Sequence, residues 1–169
     1  SLAHFGVALL VAGVTASSAW RTEAIQVMRQ GETISVAGFE FLFHGVVRAE
    51  GPNYTADRGH FTVTRAGGLV AELWPENRFY PVQQQPTTEA AIHTTWLSDL
   101  YAVVGDPDGR GGWSTRVYYN PLVPWIWLGA MVMALGGAVS LSDRRHRVGA
   151  PNRRRRRLMA GEPAAEVAR

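Results

Sequence analysis

Two long apolar blocks, residues 2–20 and 122–141, constrain the fold of this chain more than any other feature. Each has close to the roughly 20 residues that an α-helix, rising 1.5 Å per residue, needs to cross about 30 Å of hydrocarbon. The average over all 169 residues conceals them, because 46% hydrophobic and 18% charged residues would suit an ordinary soluble domain. We therefore predict a membrane protein with transmembrane helices at residues 1–20 and 122–141.

The charge of the chain is also unevenly distributed. Residues 142–169 contain nine arginines and three acidic residues, a net charge of +6, whereas residues 1–141 contain eight arginines and eleven acidic residues, a net charge of −3. An arginine-rich segment directly after a span is retained in the cytoplasm, where anionic membrane lipid also attracts it. We expect a cytoplasmic arginine-rich tail at residues 142–169 and a periplasmic domain at residues 21–121, in a bacterial inner membrane. The alternative, that arginines 153–157 bind nucleic acid, lacks an aromatic platform, so no nucleic acid is expected.

The first apolar block lacks the preceding basic segment and the cleavage site of a signal peptide, and the chain begins with Ser1. We therefore expect a span of a longer polypeptide. The chain contains no cysteine, although the predicted compartment permits disulfides. It therefore has neither thiol chemistry nor a CxxCH haem-attachment site of its own.

Residues 21–121 show the period of two that is typical of β-strands. Roughly 100 residues can bury one modest core, so we predict a small all-β domain, barrel-like or sandwich-like. Gly67-Gly68 indicates a hairpin, and the tryptophans of this segment, Trp74, Trp96 and Trp113, are expected in the core. The strongest alternation sets Phe39, Phe41 and Phe43 against Glu40, Leu42 and His44, and further strands are predicted at 24–28, 33–36, 60–65, 69–74, 100–104 and 113–119.

Both apolar blocks contain small residues at a spacing of four, which places them on one face of a helix. Small residues allow a neighbouring helix or a bulky cofactor to approach closely within a membrane. We therefore expect partners in the bilayer. The predicted faces are His4, Ala8, Ala12 and Ala16 in the first block, and Ala130, Ala134 and Ala138, or Gly129, Met133 and Gly137, in the second.

His4 is the candidate functional residue, because an ionisable side chain inside an apolar span is costly and by default indicates function. A neutral imidazole can bind iron through one ring nitrogen while the other donates a hydrogen bond. The plainer alternative is that His4 only hydrogen-bonds a neighbouring helix or reaches the lipid headgroups. His44, His60 and His93 lack metal-ligand spacing, so we expect surface or hydrogen-bonded roles for them.

The sequence contains no nucleophile elbow, phosphate-binding loop, dinucleotide-binding glycines or HExxH helix. Glu89, Asp99 and Asp106 could be interpreted as carboxylates for acid–base chemistry, but nothing in the sequence fixes their separation. Solvation of hairpins and loops explains them more simply. The residues alone do not indicate an enzyme.

Residues 120–145, NPLVPWIWLGAMVMALGGAVSLSDRR, resemble the last span of CcmF, the large subunit of the system I cytochrome c haem lyase. Residues 87–101, TTEAAIHTTWLSDLY, are similar to the block that precedes this span in that family. Residues 51–54 and 72–83, the latter reading ELWPENRFYPVQ, resemble earlier parts of the same periplasmic domain. The resemblance covers residues 1–147 and leaves the arginine-rich end as a variable tail.

The resemblance implies a C-terminal module of a multi-span protein that supports covalent haem attachment to apocytochrome c. The implied partners are the remainder of the CcmF-like protein, a CcmH-type subunit, the haem chaperone CcmE, apocytochrome c and membrane lipid. The tryptophan-rich motif and the periplasmic histidine pair of the family lie upstream and are absent here, so the resemblance does not place the attachment site in these residues. His4 matches the family position that supplies an axial ligand to a haem b, whose second histidine would come from outside this chain.

Two alternatives stay open. In the first, the β-domain only docks apocytochrome or maturation partners, and the helices are passive membrane anchors. In the second, the chain is a free-standing two-span protein whose tail binds lipid or nucleic acid.

Overall fold

The structure is a computed structural model that describes residues 2–142. Two helices, α1 (Leu2–Ala19) and α2 (Val123–Ser142), flank ten strands. The arginine-rich tail beyond Ser142 lies outside the described residues. The strands are β1 (Thr22–Met28), β2 (Thr33–Val36), β3 (Phe39–Glu50), β4 (Thr55–Arg65), β5 (Gly68–Leu73), β6 (Glu76–Tyr80), β7 (Gln85–Glu89), β8 (Ala91–Thr94), β9 (Ser98–Pro107) and β10 (Trp113–Pro121).

The strands form two antiparallel sheets that share one core. The four-stranded sheet has the order β1-β10-β9-β8, and the six-stranded sheet has the order β2-β3-β4-β6-β7, with β5 paired to β4. The buried cluster draws side chains from both sheets, for example Phe41 from β3 and Leu100 from β9. The predicted fold class is therefore confirmed, and of its two forms the domain is a sandwich.

The alternation predicted for β3 is confirmed. Phe39, Phe41 and Phe43 point into the core, where Phe43 packs against Phe61 of β4 with ring centroids 4.9 Å apart. Burying a large apolar side chain contributes about 1.5–3 kcal/mol, so these rings are among the main sources of stability. The inward residues of β9 are Ser98, Leu100, Ala102 and Val104.

The hairpin predicted at Gly67-Gly68 joins β4 to β5, with its turn one residue earlier. Ala66 and Gly67 have φ angles of 49° and 78°, the left-handed pair of a two-residue type I′ turn. Ala37 and Gly38 repeat this geometry between β2 and β3, with φ angles of 50° and 79°. The twist of such turns matches the twist of the paired strands.

Strands β6, β7 and β8 were not predicted from the sequence. β7 and β8 are the edges of their sheets, so they need no alternating apolar pattern. β7 contains Pro86 and no large apolar side chain, and proline is tolerated in a sheet at an edge. β6 begins with Glu76, a buried charge that conceals the strand pattern.

Two of the three tryptophan predictions are wrong. Trp113 packs against the core as expected, but Trp74 is 49% exposed and Trp96 is 88% exposed. Trp74 follows β5 and lies on a histidine ring. Trp96 occupies the tip of the turn between β8 and β9.

The two helices pack against each other through glycines. Gly6 and Gly13 are the buried glycines of α1, and Gly129 and Gly136 are those of α2. A Cβ atom added to Gly6 would lie 2.6 Å from the backbone N of Met133, and one added to Gly129 would lie 2.5 Å from the backbone N of Leu10. Along this antiparallel contact the glycines of each helix therefore lie against backbone of the other helix, with Ile126 and Met133 also in contact, and leave no room for a side chain of their own.

The observed contact differs from the predicted faces. His4, Ala8 and Ala12 are exposed, and Gly137 has open space beside it, whereas Gly136 touches Ala3. The buried glycines recur every seven residues, because two full helical turns bring a side chain back to the same side. Of the residues that the sequence prediction placed at a spacing of four, Ala16 and Gly129 are buried and Met133 contacts Gly6.

The connection between helices and sandwich explains this close approach. Only Trp20 and Arg21 separate α1 from β1, and only Leu122 separates β10 from α2. β1 and β10 are hydrogen-bonded neighbours, and adjacent strands lie about 4.8 Å apart, whereas packed helices usually need 8–10 Å. Glycine allows the two helices to lie closer together than this where they leave the sheet.

Both helices are candidate membrane spans by length and composition. Only 17% of the apolar stretch in α1 and 11% of that in α2 is buried. The core helix of a soluble protein would be mostly buried. The apolar surface left open on this helix pair is what a hydrocarbon environment stabilises.

Glu76 forms the main charged network of the sandwich, and its removal gives a stability prediction. The residue is 6% exposed, and its two oxygens accept hydrogen bonds from Arg58 Nε at 2.5 Å and Arg78 Nε at 2.7 Å. We expect Glu76→Gln to lower the free energy of unfolding by about 1–3 kcal/mol, measured by thermal unfolding in detergent micelles. Glu89→Gln is the control, because Glu89 is more exposed, lies 3.5 Å from Arg78, and should cost less than about 1 kcal/mol. Equal losses in the two variants would contradict the assignment.

The same carboxyl predicts a pH dependence. Burial alone would raise the pKa of Glu76, but the hydrogen bonds from Arg78 and Arg58 outweigh it and lower the pKa below its ordinary value of 4.5. A lowered folded-state pKa stabilises the protein above pH 4.5, and this contribution disappears as the pH falls through the folded-state pKa. The stability difference between wild type and Glu76→Gln should therefore shrink in acid.

Candidate functional site

His4 lies in the first turn of α1, on a side that α2 does not cover. Its neighbours Ala3 and Gly6 lie on the contact face, where Ala3 adjoins Gly136. The side chain of His4 itself is exposed, and Ala8, one turn further along on the same side, is exposed too. A third helix or a flat cofactor could therefore approach α1 on this side.

The residues around His4 fit one half of a haem site. An imidazole is a common axial ligand of haem iron, and the small side chains at Ala8 and Ala12 leave room for a planar ring beside it. Neither helix contains a second histidine. Within residues 2–142, no group of three or more His, Cys, Asp or Glu side chains could hold a metal ion.

Two other histidines stack on the outer face of the six-stranded sheet. The rings of His44 and His60 have centroids 4.4 Å apart, and Trp74 covers the other side of His60 at 3.8 Å, almost parallel. His44 Nε2 lies 2.7 Å from the Thr62 hydroxyl, and His60 Nε2 hydrogen-bonds a Glu72 carboxylate oxygen. The hydrogen-bonded roles predicted for these two histidines are confirmed.

A β-bulge creates this arrangement. In the pairing of β3 with β4, Phe43 faces Phe61 and Gly45 faces His60, so His44 is the extra residue. Gly45 has a φ angle of 103°, which favours glycine. A bulge has no signature in the alternation of β3, so the sequence could not show that His44 and His60 meet.

The hydrogen-bond donors and acceptors of this cluster can be assigned without conflict. The Thr62 hydroxyl lies 3.1 Å from Glu72 Oε1 and donates to it, so it accepts from His44 Nε2–H. The hydrogen bond from His60 lowers the pKa of Glu72 below its ordinary value, with a smaller contribution from Thr62. The cluster is thus a hydrogen-bonded polar and aromatic patch around a carboxylate whose pKa is lowered.

An open groove of about 650 Å³ runs along the outer face of the four-stranded sheet. Arg116 and Tyr118 of β10 line it together with Tyr101 of β9, and Arg21 closes the end near the helices. Tyr101 and Tyr118 meet edge to face at 5.3 Å, and the Arg21 guanidinium lies 5.7 Å from the Tyr118 ring. The groove is aromatic and has two arginines and one acidic residue, Asp106, in its lining.

The three carboxylates considered from the sequence do not form a catalytic pair. Glu89 lies 3.5 Å from Arg78, and Asp106 accepts a hydrogen bond from Asn77 at 3.2 Å. Asp99 lies at the opposite end of β9 from Asp106. Glu89 and Asp106 therefore have separate partners, whereas Asp99 Oδ1 is buried without a hydrogen-bond partner among the described residues, so solvation does not explain Asp99.

These features define a β-sandwich carried by a close pair of apolar helices that are long enough to cross a bilayer. Residues 19–121 match the family model described as the CcmF C-terminal β-sandwich. The chain belongs to this family.

Similar proteins agree with this assignment. The chain is 46% identical over 158 residues to the cytochrome c-type biogenesis protein CycK of Rhizobium meliloti and 43% identical over 164 residues to CcmF of Pseudomonas aeruginosa. These alignments cover 94% and 96% of this chain but only 23% and 25% of the relatives, so the chain spans about a quarter of their length. A solved structure of the cytochrome c haem lyase CcmF superposes with a TM-score of 0.63 at 25% identity, covering 80% of this chain and 23% of that chain.

Proposed function

We propose that this chain acts as the C-terminal module of a cytochrome c haem lyase subunit in the bacterial inner membrane. The match of residues 19–121 to the CcmF C-terminal β-sandwich carries the proposal. The superposition on a solved haem lyase, which extends over 80% of the chain, supports it. The module supports haem handling while apocytochrome c receives its covalent haem.

In this proposal α1 and α2 cross the bilayer, residues 21–121 lie in the periplasm, and the arginine-rich tail lies in the cytoplasm. The exposed apolar surface of the helices and the charge difference between the tail and the preceding residues support this orientation. The partners within the membrane are further spans of the haem lyase subunit. A CcmH-type subunit, the haem chaperone CcmE and apocytochrome c are the partners outside it.

His4 is proposed as one axial ligand of a haem b, with the second histidine supplied by a span outside this chain. Haem bound there would supply electron-transfer chemistry. The contribution of this chain is to hold one imidazole at the open side of α1, and the small residues that follow His4 leave space for the ring. The stacked histidines His44 and His60 have no part in this site.

A chimera tests the proposal. This chain would replace the matching quarter of the Pseudomonas aeruginosa relative in a strain that lacks its own copy, and covalent c-type haem would be measured by haem staining of denatured proteins. We expect the chimera to restore cytochrome c and a chimera lacking residues 22–121 to restore none. A chimera that accumulates in the membrane at the normal level yet makes no cytochrome c would contradict the proposal.

The same deletion separates haem handling from docking. The aromatic groove lined by Arg21, Arg116 and Tyr118 gives the docking alternative a specific surface. If the deletion removes co-purifying partners and leaves the b-type haem intact, the sandwich serves docking. If it removes the b-type haem as well, the sandwich also supports the haem site.

A further inference from the structure

The turn between β8 and β9 has an unusual composition for an exposed turn. Its two tip residues, Trp96 and Leu97, are 88% and 61% exposed. Tips of tight turns are normally polar, because they face water. A tryptophan and a leucine at such a position are costly in water and need another environment.

The turn is rigid, so this exposure is built into the fold. The Thr95 hydroxyl accepts hydrogen bonds from Ser98 N at 3.0 Å and Leu97 N at 3.3 Å, and Thr95 N donates to Ser98 O at 2.8 Å. Ser98 is buried at the start of β9. The backbone of the turn thus satisfies its own polar groups and projects the two apolar side chains outward.

Two hydrogen bonds fasten the turn to the beginning of α2. Leu122 N donates to Leu97 O at 2.7 Å, and the Trp125 indole Nε1–H donates to Trp96 O at 3.2 Å. Leu122 and Trp125 lie at the point where β10 becomes α2. Trp96 and Leu97 therefore lie level with the end of the apolar helix, away from the far end of the sandwich.

Other exposed tryptophans lie at the same level. Trp20 directly follows α1 and is 68% exposed, and Trp127 lies in the second turn of α2 and is 71% exposed. Tryptophan prefers the boundary between hydrocarbon and headgroups, because its ring is apolar while its N–H can donate a hydrogen bond. Both helices connect to the strands of the sandwich near these tryptophans.

We infer that the Thr95–Ser98 turn is a third point of attachment to the membrane, with Trp96 and Leu97 inserted among the lipid headgroups and upper acyl chains. This inference rests on the proposed crossing of the bilayer by α1 and α2. The turn holds β8 and β9 against the lipid surface beside the beginning of α2. Its partner is the lipid interface, because its position is continuous with the ends of the two spans.

Site-directed labelling tests this inference in a bilayer. The chain has no cysteine, so Leu97→Cys creates a unique site for a nitroxide label without changing the backbone hydrogen bond to Leu122. The full chain would be placed in nanodiscs of phosphatidylcholine and phosphatidylglycerol. Label accessibility would be measured with oxygen, which concentrates in lipid, and with a water-soluble nickel chelate.

Two reference sites make the result decisive. A label at Arg110→Cys lies in the loop at the other end of β9, about 30 Å from Leu97 at roughly 3.3 Å per residue. This label should be accessible to the nickel chelate in water. Leu135→Cys lies on the exposed surface of α2 and should report hydrocarbon. We expect the Leu97 label to be several-fold more accessible to oxygen than to nickel, on the side of the Leu135 label.

The outcomes separate the alternatives. If the label at Leu135 is in lipid and the label at Leu97 is in water, like that at Arg110, the proposed third attachment is wrong. The proposed membrane spans are not contradicted by this result. If Leu97 is shielded from both reagents, a protein surface covers the turn and the lipid assignment is wrong. If Leu135 itself reports water, the proposed crossing of the membrane fails.

A second measurement avoids labels. Lipids brominated near the headgroups quench tryptophan by contact, so wild-type protein should lose more fluorescence in such nanodiscs than the Trp96→Ala variant does. Trp74→Ala is the matched control, because Trp74 lies on the outer face of the six-stranded sheet against His60. An identical quenched fraction in wild type and Trp96→Ala would overturn the inference.

Discussion

Replacing His4 with alanine should remove the b-type haem from the membrane-embedded chimera. An axial imidazole is a direct ligand of the iron, and loss of even an outer partner of a metal ligand commonly reduces affinity 10–100-fold. We therefore expect the b-type signal in reduced-minus-oxidised spectra to fall by more than about tenfold relative to the amount of protein. Covalent haem attachment should fall with it.

The matched control is His93→Ala, which removes the same side chain from β8 in the sandwich. This variant should keep its b-type haem. Added imidazole should partly restore haem to His4→Ala, because a free ligand can occupy the vacated position, whereas it would not repair a packing defect. A normal b-type haem stoichiometry in His4→Ala would remove His4 from the site.

Replacing Gly129 with leucine should separate the two helices. A Cβ at this position would lie 2.5 Å from Leu10 N and 2.7 Å from Gly6 O, and both atoms belong to backbone that cannot rotate away. Helices with ordinary side chains pack 8–10 Å apart, so we expect the pair to open by about 2 Å at its far end. Overpacking of this kind costs about 1–3 kcal/mol.

The measurement is the distance between nitroxides at Val7→Cys and Leu135→Cys, which are both exposed on the helix pair. Gly137→Leu is the matched control, since it adds the same side chain about two turns further along α2, where nothing lies within 4 Å of the added Cβ. Its distance distribution should equal that of the wild type. If Gly129→Leu also leaves the distribution unchanged, the glycine contact does not hold the helices together.

The helices and most strands could be predicted from the sequence, because hydrophobic length and alternation are local signals. Phe39, Phe41 and Phe43 indicate their own strand and their own buried face. The edge strands β7 and β8 carry no such signal, since an edge needs partners on one side only. The pairing order of the sheets depends on contacts between distant residues, and the spacing of apolar residues does not contain it.

The candidate site, too, could be predicted only in part from the sequence. His4 could be selected from the sequence because a histidine in an apolar block is conspicuous, although its exposed position depends on how α2 packs. The stack of His44, His60 and Trp74 depends on one extra residue in β3. Trp96 looks like a core residue by type, and only the hydrogen bonds of Thr95 show that it must point outward.

The short connections at Trp20–Arg21 and at Leu122 have a mechanical consequence. Leu122 has a φ angle of 56°, a constrained conformation for leucine, so this single residue cannot act as a loose hinge. Because β1 and β10 are hydrogen-bonded to each other, torsion of either helix is passed to the whole four-stranded sheet. The sandwich is therefore fixed firmly to the helix pair, and a protein that binds its outer face can alter the tilt of α1 and the orientation of the imidazole that α1 carries.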